Sequence, residues 1–325
     1  MCYLISMSAE ASHAHAPVVS GRARVGSYHA RDGSTRDVEL AYDVFGDHGR
    51  PLILVMGIGA QRIFWDDALC EQFVDAGFKV VRFDHRDIGE STKLDTHVPP
   101  PLPTLVRGMI KVPIPAPYSL SDMADDVIAL MDTLGIPQAH VIGMSMGGMI
   151  GQHLALEHSD RLLSLTTVMT SPGGRRYMPE PYALKALFSP APKTQTEAGE
   201  HVAKLFETIG SKAWPHDAVR LRAIGELAHA RGMNPRGFLR HFAAVLKSGD
   251  RRPHLHAVKV PTLVVHGSRD PMFPLRAGRR IAELIPGATW LPITGMGHDL
   301  PEPLWPTLVA AVARHAERAD ARATL

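Results

Sequence analysis

Short apolar runs separated by stretches of helical periodicity organise most of the chain. The runs are Leu52–Met56, Lys79–Phe83, His140–Gly143, Leu163–Met169, Thr262–His266 and Thr289–Ile293. Each is too short for a buried helix and lacks the alternation of a half-exposed strand, which suits parallel strands covered on both faces. Ahead of them, Arg22–His29 and Val38–Phe45 alternate in polarity, predicting an edge hairpin that turns at Arg31-Asp32-Gly33-Ser34. Helices are predicted at Trp65–Ala76, at Leu275–Ile285 and, closing the chain, at Pro303–Ala319. Another is opened by Ser121 and stopped after Leu134 by Gly135 and Pro137. The fold class is therefore α/β, a mostly parallel sheet with helices on both faces. Two stretches break the alternation. Thr92–Tyr118 is rich in proline and holds one apolar piece, Leu105–Val112. Arg175–Pro253, between the sixth and seventh strands, holds three amphipathic helical segments, Glu197–Ile209, Asp217–Ala230 and Pro235–Lys247. The expected organisation is a flexible tail over 1–21, a core built from 22–174 and 254–325, and a helical cap over 175–253.

The chemistry enters at Gly143-Met144-Ser145-Met146-Gly147-Gly148, where a predicted strand runs into the helical pattern Met149–His158. A strand that turns sharply into a helix forces strained backbone angles on the serine, and side chains at the flanking glycines would clash with the packed turn. Such an elbow holds the Ser145 hydroxyl out above the sheet. A hydroxyl is a poor nucleophile at neutral pH and needs a histidine base with an acid to orient it. Asp270 follows the strand ending at His266, and His298 follows the next strand, in Gly295-Met296-Gly297-His298. The chain order Ser, Asp, His is that of the α/β-hydrolase arrangement. The sixth strand ends in Thr170-Ser171-Pro172-Gly173-Gly174, with no carboxylate to compete, and Asp299 is disfavoured because neighbours on a loop rarely face each other. Donors for the negative oxygen of a tetrahedral intermediate are expected from the backbone N–H groups of Met146, at the helix start, and Ile58, in the loop Met56-Gly57-Ile58-Gly59-Ala60.

Other chemistries fit poorly. Gly57-Ile58-Gly59 lacks the third glycine and the ribose-binding acid of a dinucleotide site. His85-Arg86-Asp87 mimics a kinase catalytic loop without the rest of that machinery, and its Arg86 and Asp87 are expected to tie down the turn that ends at Gly89-Glu90-Ser91. Composition sets the remaining bounds: 325 residues at 45% hydrophobic can bury one large core, and 35 basic against 33 acidic residues leave no basic stripe for nucleic acid. Two cysteines, Cys2 and Cys70, offer no plausible structural disulfide. The first 21 residues lack the charge and apolar core of a signal peptide, no run reaches membrane-spanning length, and a cytoplasmic location is expected. His13 and His15 are read as a pair in a tail rather than a metal site, so neither cofactor nor metal is expected.

Val55-Met56-Gly57, Asp84-His85-Arg86-Asp87-Ile88-Gly89-Glu90-Ser91, the elbow, Val260-Pro261-Thr262-Leu263-Val264 and Gly295-Met296-Gly297-His298 together resemble the α/β-hydrolase superfamily. Within it they are most similar to bacterial serine esterases related to aclacinomycin methylesterase, from about Asp37 onward and least through the cap. Many relatives have His-Gly where this chain has Met56-Gly57. The resemblance implies a cofactor-free carboxylic-ester hydrolase in which Ser145 attacks, His298 moves the proton, Asp270 holds the imidazole, and Ile58 and Met146 form the oxyanion hole. Lactonase, thioesterase, carbon-carbon hydrolase and perhydrolase activities use the same triad, and a non-catalytic small-molecule receptor shares the fold. A pocket for an apolar acyl or alcohol part is expected beneath the cap, from Met178, Tyr182, Leu187, Phe188, Trp214, Phe238 and Phe242. The sequence leaves the oligomeric state open.

Overall fold

A computed structural model of the chain describes residues 19–214 and 216–323. Cys2, His13 and His15 lie outside the described residues, as does the expected tail up to residue 18, whereas Val19, Ser20 and Gly21 already belong to a strand. The strands are Val19–His29 (β1), Thr35–Phe45 (β2), Arg50–Val55 (β3), Phe78–Phe83 (β4), Ala139–Met144 (β5), Leu162–Val168 (β6), Thr262–Gly267 (β7) and Thr289–Ile293 (β8). They form one sheet in the order β1-β2-β4-β3-β5-β6-β7-β8, parallel from β4 onward, with β1 and β2 antiparallel. Along β3, Ile53 and Val55 join one buried cluster while Leu52 and Leu54 join the other, the period-2 alternation of a sheet with a core on each face.

Three helices, Leu120–Thr133 (α3), Met146–Glu157 (α4) and Leu275–Leu284 (α9), cover the first face. Asp67–Asp75 (α1) and Trp305–Ala323 (α10) cover the second. The cap of α3 is Ser119, not Ser121: Ser119 and Asp122 exchange side-chain and backbone bonds in a capping box, a pairing that the spacing of Ser121 does not allow. Within the proline-rich stretch, Pro101–Ile110 (α2) starts with proline in its first turn, where a missing N–H costs nothing.

Between β6 and β7 stand Pro181–Leu187 (α5), Gln195–Ile209 (α6), Ala218–Ala230 (α7) and Pro235–Ser248 (α8). Helix α8 is fastened to the loop after β4. Arg240, 1% exposed, donates through Nε to Asp87 Oδ2 at 2.8 Å and through Nη2 to Oδ1. Asp87 also takes the Tyr118 hydroxyl at 2.7 Å and the Leu94 N–H at 2.9 Å, while Arg86 pairs with Asp126 at 2.6 Å. Arg240→Met leaves the buried Asp87 carboxylate without its cation, and should lower the unfolding free energy by about 3 kcal/mol. A urea midpoint whose shift, multiplied by an unchanged slope, amounts to less than about 1 kcal/mol contradicts the assignment.

Among the described residues, no helix is long and apolar enough to cross a membrane.

Candidate active site

The parallel strands β3, β5, β7 and β8 deliver the candidate groups to one edge of the sheet. Val55 pairs with Gly143, so the loops after β3 and β5 leave the sheet side by side at its C-terminal edge, where ligands bind in open parallel sheets. At the elbow Ser145 has φ 56° and ψ −117°. Positive φ is strained for a residue with a side chain, and the surroundings hold it there. Ser145 N–H donates to Val168 O at 3.0 Å and its carbonyl accepts the Thr170 hydroxyl at 2.6 Å. A Cβ on Gly143 would lie 2.2 Å from Gly147 O, and one on Gly147 would lie 2.1 Å from Val55 O, so both positions need glycine.

His298 comes from the loop after β8 and Asp270 from the loop after β7. His298 Nε2 lies 3.1 Å from Ser145 Oγ, and its Nδ1 lies 2.9 Å from Asp270 Oδ2. The other carboxylate oxygen, Oδ1, accepts the backbone N–H groups of Met272 at 2.8 Å and Phe273 at 2.9 Å. An ionised carboxylate only accepts, so the Nδ1 proton belongs to His298 and its Nε2 lone pair faces the serine hydroxyl. His266 also approaches Asp270 at 3.7 Å, but its Nε2 is committed to Phe273 O at 2.9 Å, and burial pushes its pKa down.

Asp299 is engaged elsewhere, accepting the Ser211 N–H at 2.8 Å and the Ser211 hydroxyl. Burial raises its pKa against the Ser211 bonds. Ser211 in turn accepts the Gly297 N–H at 2.8 Å, and His298 N–H donates to Ile209 O at 2.8 Å. The segment after α6 thus pins the loop that carries His298. No sequence pattern announces this, because Ser211 and Asp299 are 88 positions apart.

The loop after β3 passes within van der Waals distance of the serine, a Cβ on Gly57 lying 3.3 Å from Ser145 Cβ. Met146 opens α4, and its N–H, in the first turn, has no intrahelical acceptor. Above the serine lies a cavity of about 890 Å³, bounded by the core loops and by α5 to α8. Ser145, His298 and Ile58 line it, together with Leu187, Phe188 and Phe238 of the expected pocket. The other four expected residues are not on its wall. Met178 and Tyr182 are 40% and 54% exposed, Trp214 packs against the α1/α10 cluster, and Phe242 stands behind Phe188 with ring centroids 4.8 Å apart. Leu205, Phe206, Leu221 and Ile224 take their place. Their helices were legible as amphipathic, but which apolar face looks into the cavity depends on helix rotation. Among the described residues no cluster of three His, Cys, Asp or Glu side chains is arranged to hold a metal ion.

Comparison with known proteins agrees with this architecture. The chain is 29% identical over 307 residues to the rhodomycin D methylesterase DnrP of Streptomyces peucetius, covering 87% of this chain and 96% of that protein. It is 27% identical to the rhodomycin D methylesterase DauP of Streptomyces sp. (strain C5), again over 87% of this chain and 96% of the relative. Among solved structures, the enol-lactonase from Burkholderia xenovorans LB400 superposes with a TM-score of 0.63 at 21% identity, covering 89% of this chain and 98% of the lactonase. The match to the lactonase is one of fold. The family model described as alpha/beta hydrolase fold matches residues 50–302, and the chain belongs to that family.

Proposed function

We propose that the protein is a serine hydrolase that cleaves carboxylic esters through an acyl-enzyme. The observation that carries this is the relay from Asp270 through His298 to Ser145, at 2.9 and 3.1 Å, opening into an apolar cavity. Ser145 Oγ attacks the ester carbonyl carbon as His298 Nε2 takes its proton. Asp270 stabilises the imidazolium that forms. The carbonyl oxygen, now negative, accepts the N–H groups of Met146 and Ile58. His298 then gives the proton to the departing alcohol oxygen, the C–O bond breaks, and the acyl group stays on Ser145. Water, deprotonated by His298, releases the acid by the reverse sequence. No step draws on a metal or cofactor. The methylesterase activity named for the Streptomyces relatives supports an ester over the other substrates of this triad.

Residues 175–253 act as the cap, and the cavity beneath them takes the apolar acyl or alcohol part of a small-molecule ester. A series of p-nitrophenyl esters of increasing acyl length tests both statements. Each methylene that enters the cavity is worth about 0.8 kcal/mol, so kcat/KM should rise roughly fourfold per added carbon until the chain outgrows it. A flat series argues against the cavity as the acyl site. Folded protein that releases no nitrophenol from any member argues against the ester reading itself.

A further inference from the structure

An oxyanion hole works only if its donors are fixed before the charge appears. Helix α4 fixes the Met146 N–H. Ile58 sits instead between Gly57 and Gly59, in a loop with little stiffness of its own. Two histidines from distant parts of the chain brace this loop. His85 Nε2 lies 2.9 Å from Met56 O, and because a carbonyl only accepts, the nitrogen donates. At the other end, Gly59 N–H points at His241 Nδ1, 3.4 Å away, while His241 Nε2 donates to Arg86 O at 2.9 Å. The bond to Arg86 fixes the tautomer, leaving the Nδ1 lone pair for Gly59. Burial, with Arg240 and Arg86 close by, pushes the His241 pKa down to about 4, so the ring stays a neutral acceptor at ordinary pH. The His85 and His241 rings meet edge to face with centroids 5.8 Å apart.

The same helix grips the loop a second time. Phe238, one turn before His241 on α8, covers Gly59 so closely that a Cβ there would lie 2.7 Å from its ring, and Gly59 has φ +67°. Gln61 Nε2 donates to Ala228 O of α7 at 2.7 Å, tying down the far end. Helix α8 is itself anchored to the core by Arg240 and by Asn234, whose side chain donates to Asp87 O at 2.9 Å.

We infer that His241 is a positioning residue for the oxyanion loop: by accepting the Gly59 N–H it holds the neighbouring Ile58 N–H at the reacting carbonyl oxygen. The cap helix α8 thereby supplies part of the rigidity of the oxyanion hole. This rests on Ile58 being a donor in ester hydrolysis, as proposed above.

Two substitutions separate this role from simple packing. His241→Phe keeps the ring against His85 and Tyr118 but removes the acceptor, and His241→Asn places a carbonyl oxygen close to where Nδ1 lies. Loosening one donor, as opposed to deleting it, should lower kcat roughly 10- to 100-fold in His241→Phe with KM nearly unchanged. His241→Asn should recover most of that loss. If His241→Phe does not fold, His241→Gln, which keeps a donor toward Arg86 O and has no acceptor at the Nδ1 position, carries the same expectation. Full kcat in a variant without the acceptor, equal losses in the Asn and Phe variants, or a loss carried by KM each overturn the inference. Exchange of the Gly59 amide hydrogen reads the bond without turnover: it should quicken in His241→Phe and stay slow in His241→Asn. Unchanged exchange sinks the brace alone. Wild-type protein that is silent on esters, with exchange responding as expected, sinks the ester reading and leaves the brace standing.

Discussion

Replacing Ser145 by alanine is expected to lower kcat for a p-nitrophenyl ester on the order of 10⁵-fold, with KM within a few-fold of wild type. The reason is geometric. The Ser145 hydroxyl is the one placed 3.1 Å from the His298 nitrogen that holds a free lone pair. Without it, His298 can still polarise a water beside the proposed oxyanion donors, so the residual rate should remain above the uncatalysed one. The cavity proposed to bind the substrate is unchanged, and alanine meets the same backbone strain at φ 56° as serine, so folding should survive. A non-catalytic receptor predicts the opposite: ligand binding unaltered and no activity to lose. Near wild-type turnover in Ser145→Ala would mean that another group is the nucleophile.

Asp270→Asn should cost roughly 10⁴-fold in kcat at neutral pH. The bonds around the carboxylate give the sign. Oδ1 accepts two backbone N–H groups, from Met272 and Phe273, at 2.8 and 2.9 Å. An asparagine must therefore turn its carbonyl toward them and its amide toward His298 Nδ1. That amide donates, so His298 would carry its proton on Nε2 and lose the lone pair that receives the Ser145 proton. The fold should barely respond, since the backbone bonds are kept. A loss below tenfold, in protein whose melting is unchanged, would remove Asp270 from the role assigned to it. Asp299 offers the natural contrast. Its partners are Ser211 and His216, so Asp299→Asn should disturb the loop that carries His298 without switching the histidine tautomer, and its effect should be much the smaller.

The sheet was legible because its signal is local. A strand buried on both faces is mostly apolar, and the runs from Leu52–Met56 to Thr262–His266 mark β3 to β7 with ends displaced by at most two residues; Thr289–Ile293 marks β8, but as an edge strand of exposed and half-buried residues, not one covered on both faces. Ser145, Asp270 and His298 were legible for a related reason, since each follows a strand, and neighbouring parallel strands bring their C-terminal ends together. The short helix α5 left no trace in the periodicity, because seven residues make fewer than two turns. The Ser119 cap of α3 has a signal in the sequence too, a serine followed three residues later by Asp122, which the position of Ser121 does not share. The partners of α8 are a different matter. Arg240 meets Asp87 from 153 positions away and His241 meets Gly59 from 182, and nothing in one sequence ties such residues together. The same holds for the cavity wall, where Phe238 and Phe242, one turn apart, both pack against Phe188 but only Phe238 lines the cavity.

The central claim, that Ser145 is the acylated nucleophile, is tested most directly by treating the protein with an alkyl fluorophosphonate and mapping the adduct by peptide mass spectrometry. The account predicts one phosphonyl group, on the peptide containing Ser145, loss of esterase activity in step with its appearance, and no adduct in Ser145→Ala. An adduct on another residue, or ester hydrolysis that continues undiminished at full labelling of Ser145, would contradict it.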